Sequence, residues 1–405
     1  MKRIIPASIV IFTSLIGNLA NAQNSILIQK TYEGQIGNAQ IVVEILHGQK
    51  IKFAHYFYKS QLKNIGLEII SEDANSISID ELPYACPRDT EKCENIASFK
   101  LSKNGNKLSG FWAKKDQTSK TLPVSLNLIS ERSLTIKDRN ISENDDFEMF
   151  RDSENNLSDD PYIKQLLQSK MQYSKETKIG NLGYKIAKDA TGISFPNLST
   201  FPDKAKKDKI NKLLEEYRLS NAISNQYCEK AMAQFFGEGP NETGYKDISN
   251  SVIYLSEKLM VIQTSGSVDC AGAHPSNFIR AISYDLGTIS KLEKQKLLAI
   301  YQPKADEYGF WNYNPRFMKF LKNLDQKSKY FVSDDETYLE CWGDIDYDFM
   351  TPVVNFTKDG VSIDLEDTPH AISMCQSNYF LIPYRDFKPW LTQKGREYFA
   401  KELGK

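Results

Sequence analysis

From Ile26 to Ile129 the apolar residues fall on every second position, segment after segment, and this period excludes most folds at once. Successive side chains of a strand point to opposite faces, so a period of two builds a sheet with one buried face; a helix needs a period near 3.6. Ile41, Val43 and Ile45 share one strand face, and Ile51, Phe53, His55 and Phe57 share one face of the next. Similar runs follow at 65–70 and 76–82. Asn104-Gly105, a strong hairpin dipeptide, joins 97–101 to 108–112, and Leu122, Val124, Leu126 and Leu128 close the series. Roughly seven or eight short strands separated by turns predict an all-antiparallel sheet or small barrel. This first domain spans residues 23–132.

Ahead of it, Lys2 and Arg3 precede an apolar run from Ile4 to Leu19, and Ala20-Asn21-Ala22 has the small residues of a cleavage site. Residues 1–22 therefore read as a secretory signal peptide cut after Ala22. The apolar run is shorter than the roughly 20 residues of a membrane span and is broken by Pro6 and Ser14. No cysteine stands directly after the cut, which argues against a lipid anchor, and no later segment is apolar enough to span a bilayer. The expectation is an exported protein, periplasmic or secreted, with no membrane span once the leader is removed. With 51 basic residues against 52 acids, the chain gives no electrostatic reason to expect nucleic acid, whose binders carry a clustered basic face.

Export changes the meaning of the cysteines. Cys86, Cys93, Cys228, Cys270, Cys341 and Cys375 all follow the leader, and an even number in an oxidising compartment reads as disulfides. Cys86–Cys93 is the local loop, and Cys228–Cys270 and Cys341–Cys375 are the expected longer bridges, with Cys270–Cys375 as the rival. No C-x-x-C pair is present, so a zinc site is not expected, and no cofactor is implied.

Residues 133–160 read as an acidic linker: positions 138–160 hold nine acids against two arginines and few apolar residues. The unit from 161 to 405 mixes helices and antiparallel strands and reads as a disulfide-stapled α+β domain. Helices are predicted over 163–171, from Pro202-Asp203 through Tyr217, around Tyr227 to Phe235, and over 292–301 and 314–324. Strands are predicted over 192–198, 347–356, 361–365 and 379–382, with Lys358-Asp359-Gly360 as a turn. The centre of the unit is a hairpin over 251–289, with one lead-in run over 252–268 and a tip at Asp269-Cys270-Ala271-Gly272-Ala273-His274-Pro275.

Pieces of this unit occur in a familiar order: 251–256, Cys270 to Pro275, Ile282 to Gly287, Asn355 to Val361, and Phe380 to Phe387, preceded by Ile193 to Asn197. Over roughly 192–391 the chain resembles the extracytoplasmic domain of the lysozyme-sensing anti-sigma factors, which is found also beside a peptidoglycan deacetylase. The resemblance implies an exported bacterial protein with lysozyme, or another cell-wall-active protein, as the partner to expect. Cys270 and Ala271 stand where that family has an aromatic residue and a second glycine. The N-terminal β domain belongs to neither relative.

Two histidines lie in loops beside cysteines, His274 and His370, and a histidine can serve as base, ligand or pH switch. The tip residues Gly272, Ala273, His274 and Pro275, together with His370, are the expected binding residues; no catalytic residue is named, since no nucleophile is evident near either imidazole. Asp344, Asp346 and Asp348 share a strand face, but the spacing lacks the glycine of a Ca²⁺ loop and reads as a solvated face. Ser60-Gln61-Leu62-Lys63 matches a serine–lysine acylation motif by chance, without its companion motifs. The expected function is non-enzymatic binding at the cell envelope. The alternatives are a hydrolase of envelope glycan or peptide with His274 or His370 as base, and a structural envelope scaffold.

Overall fold

In the computed structural model, the period-two rows wrap into a closed barrel. The structure describes residues 25–48, 52–84, 94–117, 120–136, 157–168, 170–189, 193–236, 244–270, 276–306, 311–325, 327–332, 341–342, 352–366 and 375–404. The barrel strands are β1 (Ser25–Ile36), β2 (Ala39–His47), β3 (Lys52–Tyr58), β4 (Ile65–Glu72), β5 (Ser76–Glu81), β6 (Ala97–Asn104), β7 (Lys107–Lys114) and β8 (Thr121–Ile136). Each pairs antiparallel with the next, and β1 also pairs with β8, so no edge is left open. Eight strands enclose a space that side chains can just fill, and Ile41, Val43, Tyr56, Ile79, Phe99 and Leu126 are among those that fill it. The closing seam requires glycine: a Cβ on Gly34 would lie 1.9 Å from the Ser125 carbonyl oxygen. The predicted hairpin forms, with Asn104 opposite Lys107 and Gly105 at φ 56°.

Part of the barrel's outer wall is buried. Phe57 points outward and packs edge-on against Tyr162, with ring centroids 5.1 Å apart. With Val42 it joins Leu157, Ile163, Leu166, Leu219 and Ile223 in one apolar cluster that fixes the barrel to the second unit. Complete burial of a ring of this size contributes about 1.5–3 kcal/mol. Of the segment expected as a linker, residues 133–136 lie in β8, and Leu157–Asp159 form a 3-10 turn that packs into this contact. Residues 137–156 lie outside the described residues.

α1 (Pro161–Leu166) starts where the sequence provides both a cap and a proline. Asp160 Oδ1 accepts from the Tyr162 and Ile163 amides at 2.9 and 3.1 Å, and Pro161 fills the first helical position. The helix stops short of the expected Met171. β9 (Gln172–Tyr173), β10 (Thr177–Ile179), β11 (Leu182–Lys188) and β12 (Ser194–Thr200) form a sheet arranged around β11. α2 (Lys204–Phe236) is a single helix of 33 residues where two were expected. No glycine or proline falls between Pro202 and Gly237, so nothing breaks it.

The next sheet is a meander of β13 (Gly244–Leu255), β14 (Leu259–Asp269), β15 (Ser276–Asp285) and β16 (Ser290–Lys291). The 252–268 run is thus two strands, reversed at Ser256–Lys258, where Ser256 Oγ accepts from the Leu259 amide at 3.1 Å. The helix expected over 292–301 is a 3-10 turn at Lys294–Lys296 only. Its backbone bonds run across to another segment instead: the Ala299 amide donates to Trp390 O at 2.8 Å and the Thr392 amide to Leu297 O at 2.9 Å.

α3 (Pro315–Lys322) repeats the asparagine-cap and proline signature, with Asn314 Oδ1 accepting from the Phe317 amide at 2.9 Å. A second meander, β17 (Val353–Phe356), β18 (Val361–Leu365) and β19 (Ser377–Ile382), leads into α4 (Tyr384–Phe387) and α5 (Gln393–Tyr398).

The described chain is mostly antiparallel β with few helices. Among the described residues no helix is long and apolar enough to cross a membrane. Disulfides join Cys228 to Cys270 and Cys341 to Cys375, as expected; Cys86 and Cys93 lie outside the described residues.

Candidate functional site

The expected binding residues Gly272, Ala273, His274, Pro275 and His370 lie outside the described residues, as do Asp344, Asp346 and Asp348. Their borders are described, and these borders meet. Cys270, at the end of β14 just before 271–275, is tied to α2 through Cys228. Cys375, just after 367–374, is tied to Cys341. Between the two, Gln376 Nε2 donates to Asn277 O at 2.7 Å. On the other side of 367–374, Glu366 Oε1 accepts from the Ala281 amide on β15 at 3.1 Å. The two histidine-bearing segments are therefore rooted on adjoining stretches of β15, β18 and β19, and each adjoins a disulfide.

Beneath those roots lies a buried polar seam. Strand alternation puts Ser362 and Asp364 of β18 on the face opposite Val361, Ile363 and Leu365, which belong to the main apolar core. The register sets Asn355 of β17 opposite Ser362. Asp364 Oδ2 accepts from Ser362 Oγ at 2.7 Å and from Asn355 Nδ2 at 2.8 Å, and Asn355 Nδ2 also donates to Glu366 at 2.6 Å. The ammonium of Lys294, placed by the 3-10 turn, donates to Asn355 Oδ1 at 2.6 Å and to Val354 O at 2.8 Å.

Desolvation sets the charges of this seam. Burial pushes the Asp364 carboxyl up to about 6, against the opposing pull of its Asn355 and Ser362 hydrogen bonds and the Lys294 charge. Burial also lowers the Lys294 ammonium, and Glu366 and Asp364 offset this only in part. Part of Lys294 reaches the surface, but its ammonium end is enclosed.

Among the described residues, three polar atoms along this region are buried without a hydrogen-bond partner: Asp364 Oδ1, Gln376 Oε1, and Ser283 Oγ, which shares the Ala281 face of β15. A buried acceptor without a donor costs about 1–3 kcal/mol, so such atoms mark places where water or a ligand's polar group belongs. Among the described residues no group of three or more His, Cys, Asp or Glu side chains is placed to hold a metal ion.

The sequence reading missed Lys294, Asn355, Asp364 and Glu366. Ser362 and Asp364 alternate with apolar residues, which normally signals a solvated strand face; here both faces are covered.

No family model matches the chain, and no curated protein matches it. Among solved structures it is similar to a member of the DUF3298 family from Bacteroides fragilis, at 15% identity and a TM-score of 0.34, over 58% of this chain and 99% of that one. It is also similar to a DUF3298 family protein from Pseudomonas aeruginosa, at 21% identity and a TM-score of 0.29, over 58% of this chain and 96% of that one. The resemblance to the lysozyme-sensing anti-sigma factors rests on the sequence motifs alone.

Proposed function

We propose that this chain is an exported, non-enzymatic binding protein of the bacterial envelope, whose C-terminal unit contacts a protein partner through segments 271–275 and 367–374. The observation that carries this reading is the meeting of their borders: Gln376 donates to Asn277 at 2.7 Å, with a disulfide cysteine beside each segment. Disulfides beside both segments hold their bordering strands together, a fixed base that favours recognition. Disulfides belong to an oxidising compartment, which agrees with the leader read over 1–22. The partner class, lysozyme or another cell-wall-active protein, comes from the motif resemblance. Biolayer interferometry of the mature protein against a panel of lysozymes tests it: saturable binding at about micromolar or tighter supports the reading, and its absence removes lysozyme as the partner.

A second reading, an envelope hydrolase, is favoured by one observation. Asp364 is pushed up to about 6 and the neighbouring Lys294 is lowered, so burial brings both groups closer to neutral pH, a perturbation that acid–base sites also show. Release of products from peptidoglycan by the wild type but not by Asp364→Asn would support it over binding alone.

A further inference from the structure

The two ends of the barrel are built differently. At one end the interior is plugged: Trp112 Nε1 donates to the buried Glu81 carboxylate at 2.7 Å, and Tyr56, fully buried, packs at the same end. At the other end the packing stops early and leaves a cavity of about 380 Å³. Its apolar floor is Tyr32, Ile45, Ile77 and Leu108, and Ile28 and Gly105 complete the wall.

Charge appears where the inward rows should continue apolar. Inward positions alternate along each strand, so Tyr32 is followed on β1 by Lys30, Ile45 on β2 by His47, and Leu101 on β6 by Lys103. Glu72 and Glu131 complete the rim. Glu72 gathers three bases: Lys103 at 2.6 Å, His47 at 3.4 Å and, from outside the cavity, Lys52 at 3.6 Å. Lys30 pairs with Glu131 across the β1–β8 seam at 3.4 Å. Burial raises the Glu72 carboxyl, but the Lys103 hydrogen bond and the surrounding bases outweigh it and hold the group below its ordinary value. Burial lowers the His47 imidazole, against the pull of Glu72, which leaves the ring a neutral hydrogen-bonding group near pH 7.

The cavity is thus lined by the ammonium groups of Lys30 and Lys103, the carboxylates of Glu72 and Glu131, and an apolar floor. A simple anion would meet both carboxylates, and a simple cation both ammonium groups. The rim charges already pair as Lys103–Glu72 and Lys30–Glu131, and a molecule carrying one charge of each sign on an apolar body can join both pairs without leaving a charge uncompensated while it covers the floor. Barrel mouths are a common place for small-molecule sites, and the volume lies within their usual range.

We propose that this barrel mouth is a binding site for a small apolar zwitterion, a free amino acid or short peptide with an unblocked amino and an unblocked carboxyl group. The ligand's carboxylate is received by Lys30 and Lys103, its ammonium by Glu72 and Glu131, and its side chain by Ile45, Ile77 and Leu108. None of its lining residues belongs to the segments proposed to contact a protein partner.

Isothermal titration calorimetry on the mature full chain tests the assignment with L-leucine, N-acetyl-L-leucine and L-leucinamide as probes. Leucine should bind saturably, and each blocked derivative should bind about ten-fold more weakly or worse, because each loses one charge-assisted contact. Leu108→Trp, which fills the floor, should abolish binding while the barrel's thermal transition persists. No saturable heat for leucine up to its solubility limit overturns the proposal, as does equal affinity for leucine and both blocked derivatives. Should Leu108→Trp fail to fold, the comparison of derivatives on the wild-type protein still decides the question.

Discussion

Replacing Asp160 by alanine tests how firmly the barrel is coupled to the second unit. The side chain is buried, its Oδ1 caps α1, and its Oδ2 accepts from Gln29 at 3.0 Å and from Arg132 at 2.5 Å, both on barrel strands. Gln29 is also bonded to the buried Glu44, and Arg132 Nε to Gln29, so one carboxylate anchors a network spanning both units. Loss of the cap costs about 1 kcal/mol. Removing one partner of a buried ion pair costs about 3–5 kcal/mol. The Arg132 side chain is 21% exposed and regains some hydration, which places its share at the low end. The expected total for Asp160→Ala is about 4 kcal/mol. Asp160→Asn keeps the cap acceptor and should lose about 1 kcal/mol less.

Urea unfolding followed by tryptophan fluorescence and far-ultraviolet circular dichroism measures both losses. Adding Arg132→Met to Asp160→Ala should recover part of the loss, because the uncompensated guanidinium is then gone. A loss below about 1 kcal/mol for Asp160→Ala, or strict additivity in the double variant, would mean that Asp160 does not couple the two units.

Three further outcomes follow from the same structure. Asp364 sits at about 6 in the fold against 3.8 ordinarily, so the folded state holds a proton that the unfolded chain has released between those values. Its contribution therefore favours the fold most below about pH 4, falls by about 3 kcal/mol as pH rises to 6, and stays level above. Asp364→Asn should flatten that part of the stability profile, and unchanged pH dependence in urea melts would count against it. Gly34→Ala places a methyl against immovable β8 backbone, 1.9 Å from Ser125 O, and should destabilise the barrel by about 1–3 kcal/mol or more in a thermal melt. Cys228→Ala with Cys270→Ala opens a cross-link between residues 42 apart and should cost about 4 kcal/mol by chain entropy, read as the difference from the oxidised wild type in denaturant.

The β architecture was legible because its physics is local. Alternation places Ile41, Val43 and Ile45 inside whatever the strands enclose, and Asn104-Gly105 fixes one register. Closure was not legible, because the pairing of β1 with β8 joins segments about a hundred residues apart. Nor was the outward turn of Phe57, since the pattern shows which residues share a face but not which body covers it. Export and an even cysteine count implied disulfides without choosing the partners, so Cys228–Cys270 and Cys341–Cys375 were expected with Cys270–Cys375 still open as a rival. The helix expected over 292–301 failed because Leu297, Leu298 and Ile300 are buried and the Leu297 carbonyl and Ala299 amide bond to the segment at Trp390–Thr392 instead of continuing a helix. The Lys294–Asp364 seam stayed hidden for a related reason: polar residues alternating with apolar ones look solvated until a second layer covers them.

The central claim is that segments 271–275 and 367–374 act as one face for a protein partner. Its most direct measurement is the affinity of a lysozyme for the wild type, His274→Ala, His370→Ala and the double variant, by biolayer interferometry at fixed salt. Each single replacement should weaken binding, and the double variant should depart from the sum of the two, because the segments share one contact. Wild-type affinity in both single variants and in the double would contradict it.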